Sequence, residues 1–107
     1  MSKIADIEIA GKSGTKYSFG VYPYDTIWKE IGAVYIVSNR SNTGTHTFIY
    51  VGQTDNLKER HANHHKADCF KRHNRNCLCV LLEGSESRRR DTEADLLASR
   101  SWPCNSK

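Results

Sequence analysis

The sequence predicts a small α+β domain, in which helices flank an antiparallel β-sheet and an additional β-hairpin lies at the N-terminus. Three observations predict it. Four runs of β-branched and aromatic residues fall in the first half and pair off around turn-forming segments. The second half holds helical patterns and one short apolar run. A chain of 107 residues suffices for one ordinary core and not for two. The expected organisation is a single domain over residues 1–107, divided into a hairpin extension, 1–30, and a core, 32–105.

Along Ile4 to Ala10, the residues Ala5, Ile7 and Ile9 alternate with Asp6 and Glu8, so a strand there buries one face. Gly11-Lys12-Ser13-Gly14 reads as a turn, and the aromatic stretch Tyr17 to Tyr22 as a return strand ended by Pro23. The Gly-Lys-Ser here lacks the earlier glycine of a phosphate-binding loop and precedes a strand, so a nucleotide site is not expected. Gly32 to Ser38 and Thr47 to Val51 are strands joined by the turn formers between Asn39 and His46. Strict alternation places Tyr35 on one face with Ala33 and Val37, and Tyr50 on one face with Phe48 and Gly52. Thr54 or Asp55 can cap a helix running to about His65, with Leu57, Arg60, His61 and His64 on one stripe. Lys66 to Arg75 is weakly helical, Cys77 to Leu82 is a short buried strand, and Ser85 to Arg100 is a capped helix. The tail around Trp102 and Asn105 is irregular.

The composition excludes some function classes. The longest apolar run, Ile31 to Val37, is far shorter than the roughly 20 residues of a spanning helix. The N-terminus lacks the apolar stretch of a secretory signal, so a cytoplasmic protein is expected, with Cys69, Cys77, Cys79 and Cys104 all as free thiols. The net charge of +4 lies wholly beyond residue 30, because the first thirty residues hold four lysines and four acids. Lys58, Lys66, Lys71, Arg72, Arg75, Arg88 and Arg89 form the candidate surface for a polyanion, DNA or RNA.

Strand tyrosine (Tyr35), strand Tyr50-Val51-Gly52, helix arginine (Arg60), helix glutamate (Glu93) and tail asparagine (Asn105) follow one another in an order that resembles the GIY-YIG nuclease family. The resemblance spans about Gly32 to Asn105 and departs from the family pattern at Ala33, where glycine is usual, and in a slightly longer loop between the tyrosines. It implies a metal-dependent endonuclease with Tyr35, Tyr50, Arg60, His64, Glu93 and Asn105 in the active site, Gly52 as the motif glycine, and Glu93 as ligand of Mg²⁺ or Mn²⁺. DNA is the implied substrate; with no room for a separate recognition domain, weak sequence preference is expected unless the N-terminal hairpin, a dimer partner or another protein supplies it. The residue types suit hydrolysis of a phosphodiester by in-line attack of water. A carboxylate is a hard ligand for Mg²⁺, a guanidinium fork matches the non-bridging oxygens, and a phenol serves as base only if its titration, near pH ~10 when free, is brought down. Either tyrosine can fill that role.

Helical geometry singles out Glu93 by itself. With Leu96 and Leu97 facing the core, Glu93 stands at the border of core and cleft, and Asp91 and Asp95 point to solvent. A plain ion pair of Glu93 with Arg60 or Arg89 is the competing explanation. Two rival functions follow from other features. One is a nucleic-acid-binding module of the same fold that does not cut. The other is a small zinc-stabilised interaction domain built on Cys69, His73, Cys77 and Cys79, whose spacing matches no common zinc pattern.

Overall fold

Five runs rich in β-branched, aromatic and apolar residues become five strands of one sheet. The computed structural model describes residues 3–105 and contains β1 (Ala5–Ala10), β2 (Lys16–Pro23), β3 (Ala33–Arg40), β4 (His46–Thr54), α1 (Leu57–Ala62), α2 (Ala67–Arg72), β5 (Cys77–Leu82) and α3 (Glu86–Ser99). The termini of the expected 1–107 domain lie outside the described residues. All neighbouring strands are antiparallel, in the order β1-β2-β5-β3-β4. The two hairpins read from the sequence are present, and β5 enters between them and joins them into one sheet.

Alternation along the central strands divides the core in two. Val34 and Ile36 of β3 with Cys77 and Cys79 of β5 face one side, where Leu96 of α3 and Trp102 of the tail cover them. Ala33, Tyr35 and Val37 with Leu78 and Val80 face the other, covered by Leu57 of α1, Phe70 of α2 and Cys104. Leu96 is completely buried; its truncation to alanine is expected to cost about 2–5 kcal/mol. Leu97 instead is 37% exposed, because it lies about 100° further round the helix than Leu96 and only one of the two can face the sheet.

Local signals set the helix starts. Asn56, not Thr54 or Asp55, caps α1, its side chain accepting from Glu59 N–H at 3.1 Å, because β4 continues through Thr54. Ser85 caps α3 by accepting from Arg88 N–H. The single helix expected to His65 is two: α1 ends at Ala62, and Asn63, with non-helical backbone, turns the chain before α2. That break releases His64 from the exposed stripe and points it inward.

In β4 the register shifts opposite Val37 and Ser38, leaving Ile49 as an extra residue between Phe48 and Tyr50. Phe48 therefore packs on the α3 side against Trp102 (ring centroids 5.8 Å apart), and Tyr50 faces the opposite side with Tyr35. The expectation that Phe48 and Tyr50 share a face fails by this one residue.

The expectation of four free thiols is corrected: Cys69 of α2 and Cys104 of the tail form a disulfide, with S–S 2.05 Å. The two are 35 residues apart in sequence and meet because the tail returns under α2. Cys77 and Cys79 are free and buried, and burial pushes the Cys79 thiol up to about 12. They face the α3 side whereas Cys69 lies on the other, so Cys69, His73, Cys77 and Cys79 do not converge on one zinc. Among the described residues, no helix is long and apolar enough to cross a membrane.

Candidate active site

Tyr35 stands directly across from Gly52 in the β3–β4 register. A Cβ on Gly52 would lie 2.7 Å from the Tyr35 hydroxyl and 2.8 Å from the Tyr50 ring, so the glycine is what allows both phenols to lie over the strand. The rings are 6.0 Å apart between centroids. His64, 9% exposed, meets Tyr50 edge-on at 5.0 Å, and its Nε2 is 2.7 Å from the Tyr35 hydroxyl.

The protonation pattern of this cluster can be worked out from its partners. Burial, reinforced by the charges of His65, Arg60, His61 and Lys66, lowers His64 to about 4, so it is neutral at pH 7. Its Nδ1 accepts the backbone N–H of Lys66 at 3.0 Å, which leaves the ring hydrogen on Nε2. His64 therefore donates to the Tyr35 oxygen, and the Tyr35 proton is free to turn toward Tyr50. Burial raises both phenols above their ordinary value. The neighbouring Tyr35 hydroxyl favours ionisation of Tyr50, whereas the proximity of Tyr50 disfavours that of Tyr35. Of the two, Tyr50 is the one whose ionisation its neighbouring phenol favours.

Arg60, half-buried on α1, exerts a downward pull on both phenols, and its Nη1 makes a long 3.5 Å contact with the Gln53 carbonyl. Glu93, half-buried on α3, is close enough that its charge raises Tyr50 and that Arg60 and Arg90 oppose its own upward shift, which burial causes. Among the described residues its carboxylate takes part in no hydrogen bond or salt bridge. Arg90 pairs with Glu86 at 2.8 Å, and the expected alternatives Arg60 and Arg89 bind backbone and amide oxygens instead. The plain ion pair is therefore not formed.

Asn105 adopts a holding role. Its Oδ1 accepts Val51 N–H and its Nδ2 donates to Val51 C=O, both at 2.9 Å, so the side-chain amide extends the exposed edge of β4. Cys104 N–H donates to Ile49 C=O at 3.0 Å and continues the same seam.

Arg89, expected on the DNA-facing surface, is only 4% exposed. Its Nε donates to Gln53 Oε1, and its Nη1 to the carbonyls of Glu83 and Gly84, all at 3.0 Å. Gly32 makes room for it, since a Cβ there would lie 2.7 Å from Nη1. Arg89 thus clasps the ends of β4 and β5 to α3. Lys58, Lys71, Arg72 and Arg88 are exposed as expected, and Lys66 is half-buried. Arg75 lies over the Tyr24 ring, 4.0 Å from its centroid.

Two residues of the surroundings were missed in the sequence. Gln53 serves both arginines, and its only signal is its place directly after the motif glycine. Asp95, expected to point to solvent, accepts from Ser13 N–H at 2.8 Å, Ser13 Oγ at 2.6 Å and Tyr17 Oη at 2.8 Å, docking the first hairpin on α3. The polar turn at Ser13 gave no hint of that partner. The carboxylate-phenol-guanidinium cluster suits a small hard cation on one side and an anionic oxygen on the other. Comparison of the chain with family models, curated proteins and solved structures finds no match in any of the three.

Proposed function

We propose that this protein is a GIY-YIG-like endonuclease that hydrolyses DNA phosphodiesters with Mg²⁺ or Mn²⁺. The observation that carries the reading is the half-buried Glu93 carboxylate, which has no partner among the described residues yet lies within the field of Tyr50 and Arg60. Withdrawing a carboxylate from water without a partner is unfavourable, and a bound cation removes that penalty. Glu93 would hold the metal; among the described residues no second acid joins it in a cluster of three ligands, which fits an ion that keeps most of its waters. When bound, the ion supplies positive charge to the phosphate and its leaving oxygen.

The other steps belong to side chains. Arg60 offers its fork to the non-bridging oxygens, where charge grows as water attacks. Tyr50 accepts the proton of that water. Tyr35 donates to the Tyr50 oxygen and is itself held by His64 Nε2–H, so a neutral His64 supports Tyr50 in its ionised form. Asn105 holds Val51, the residue between Tyr50 and Gly52, and so fixes the strand that presents the base. Lys58, Lys71, Arg72 and Arg88 draw in the DNA backbone by a salt-dependent attraction that reads no sequence.

The test is nicking of supercoiled plasmid by the parent and by Glu93→Ala, with Mg²⁺ or Mn²⁺ and in chelator, from neutral to alkaline pH. Metal-dependent nicking that vanishes in the variant supports the proposal. A parent that binds DNA and cuts none under any of these conditions assigns the same surface to binding alone.

A further inference from the structure

Cys69, His73 and Cys104 offer their Sγ and ring nitrogen atoms within 4.8 Å of one another. Cys69 and His73 stand one helical turn apart, at the end of α2, and therefore project from one face of it; Cys104 comes from the tail. None of the hydrogen bonds or salt bridges among the described residues engages the His73 ring, which is exposed. A pocket of about 340 Å³ opens over Cys69 and His73, with Asp68 and His65 on its wall.

We propose that these three residues form a redox-gated zinc site, in which the disulfide seen here and a bound Zn²⁺ are alternative links between α2 and the tail. A dithiol reductant opens the disulfide. Its thiolate attacks one sulfur, its second thiol then displaces the protein sulfur, and two electrons leave Cys69 and Cys104 as thiols and the reductant as a disulfide. Zn²⁺ then displaces the two thiol protons and takes two thiolates and the His73 imidazole. Tetrahedral zinc needs its two sulfurs about 3.8 Å apart and each about 3.5 Å from the nitrogen, a spacing that falls within the cluster once the sulfurs are no longer bonded. The fourth position faces the pocket and is open to water.

The site controls more than itself. Cys104 precedes Asn105, whose amide pairs with Val51 on β4. Either link ties the tail to α2 beside that strand; the reduced, metal-free chain keeps only the tail's hydrogen bonds to β4. Tail docking would then depend on thiol state and zinc together.

The test uses the full chain, reduced and stripped of metal by chelation, against the oxidised chain. Each is titrated with Co²⁺, read by thiolate-to-cobalt charge-transfer absorption, and with Zn²⁺, read by metal analysis after gel filtration. The expected result is one ion per reduced chain, none per oxidised chain, and at least about a tenfold weaker affinity in His73→Ala. His73 is exposed, so this variant keeps the fold, and a circular dichroism spectrum matching the parent verifies it. No thiolate-cobalt band in the reduced parent, an unchanged affinity in His73→Ala, or equal binding by the oxidised chain would each overturn the proposal.

Discussion

Asp95 and Glu93 stand two residues apart on α3, and the molecule treats them in opposite ways. Asp95 accepts three hydrogen bonds from Ser13 and Tyr17, and those bonds hold its carboxyl below the usual range even though it lies at the surface. Glu93 is drawn partly out of water toward the tyrosine pair, receives no hydrogen bond among the described residues, and is held above the usual range by burial. Folding explains the first acid completely: it pins a hairpin to a helix. It does not explain the second, because the fold satisfies nothing by placing it there. A polar group that the rest of the structure leaves unserved points to something the folded protein meets from outside.

The strongest way to break this comparison is to exchange the roles of the two acids in activity and stability. Glu93→Gln is expected to reduce metal-dependent nicking at least about a hundredfold and to leave the melting temperature equal to or above that of the parent, since it removes a desolvated charge. Asp95→Ala is expected to do the reverse: nicking is retained and the melting temperature falls, as read by thermal unfolding at pH 7. Loss of stability in the Glu93 variant would show that its carboxylate has a structural partner after all.

The comparison sharpens at Tyr50, which feels Glu93 and not Asp95. The rate should rise with pH above neutrality, because burial places both phenols high. Tyr50→Phe should lower it by about 10²-fold or more and flatten that rise. Tyr35→Phe should leave the rise in place at higher pH, having removed the donor that favours ionised Tyr50. A rise that persists unchanged in Tyr50→Phe would assign the base elsewhere. Gly52→Ala should have a smaller effect, roughly tenfold to a hundredfold on rate through displaced phenols, with about 1–3 kcal/mol of destabilisation from overpacking measured in urea.

The smallest effect is one of acid. His64 titrates near 4 in the folded chain and near 6.5 unfolded. Between those values the unfolded chain binds the proton and the folded one does not, so the stability contribution is complete above pH ~6.5 and lost as pH falls toward ~4. Reduced by solvent screening at this partly exposed ring, it should amount to about 1 kcal/mol or less. His64→Gln should blunt this loss in denaturation curves taken across that window.

Elements encoded by local chemistry were legible in the sequence, and those decided by distant partners were not. The alternation in β1, the cap at Ser85 and the apolar run of β5 each rest on residues a few positions apart. The seat of β5 between the hairpins, the bulge at Ile49 and the tail's disulfide rest on meetings across much of the chain. The same division holds for the site. Tyr35, Tyr50, Arg60, His64 and Glu93 lie near one another in space, whereas the burial of Arg89 depends on Gly32 and Gln53, which nothing near Arg89 announces. His64 reached the cluster by a different route from the one expected, through a broken helix rather than along its face.

The position of β5 also has a consequence in time. Its Val80 pairs with Gly20 on one side and Tyr35 on the other, sequence separations of 60 and 45 residues. Each hairpin can close locally and early, but the sheet can close only after those two long loops have been drawn shut, which is the slow kind of step in folding. On a ribosome both hairpins would wait for β5 to emerge, and β4 would wait longer still for the tail that seals its edge. Tyr35 and Tyr50 are made well before Glu93 of α3 and Asn105 of the tail, so a chain still in synthesis holds both phenols before the residues that come to surround them exist.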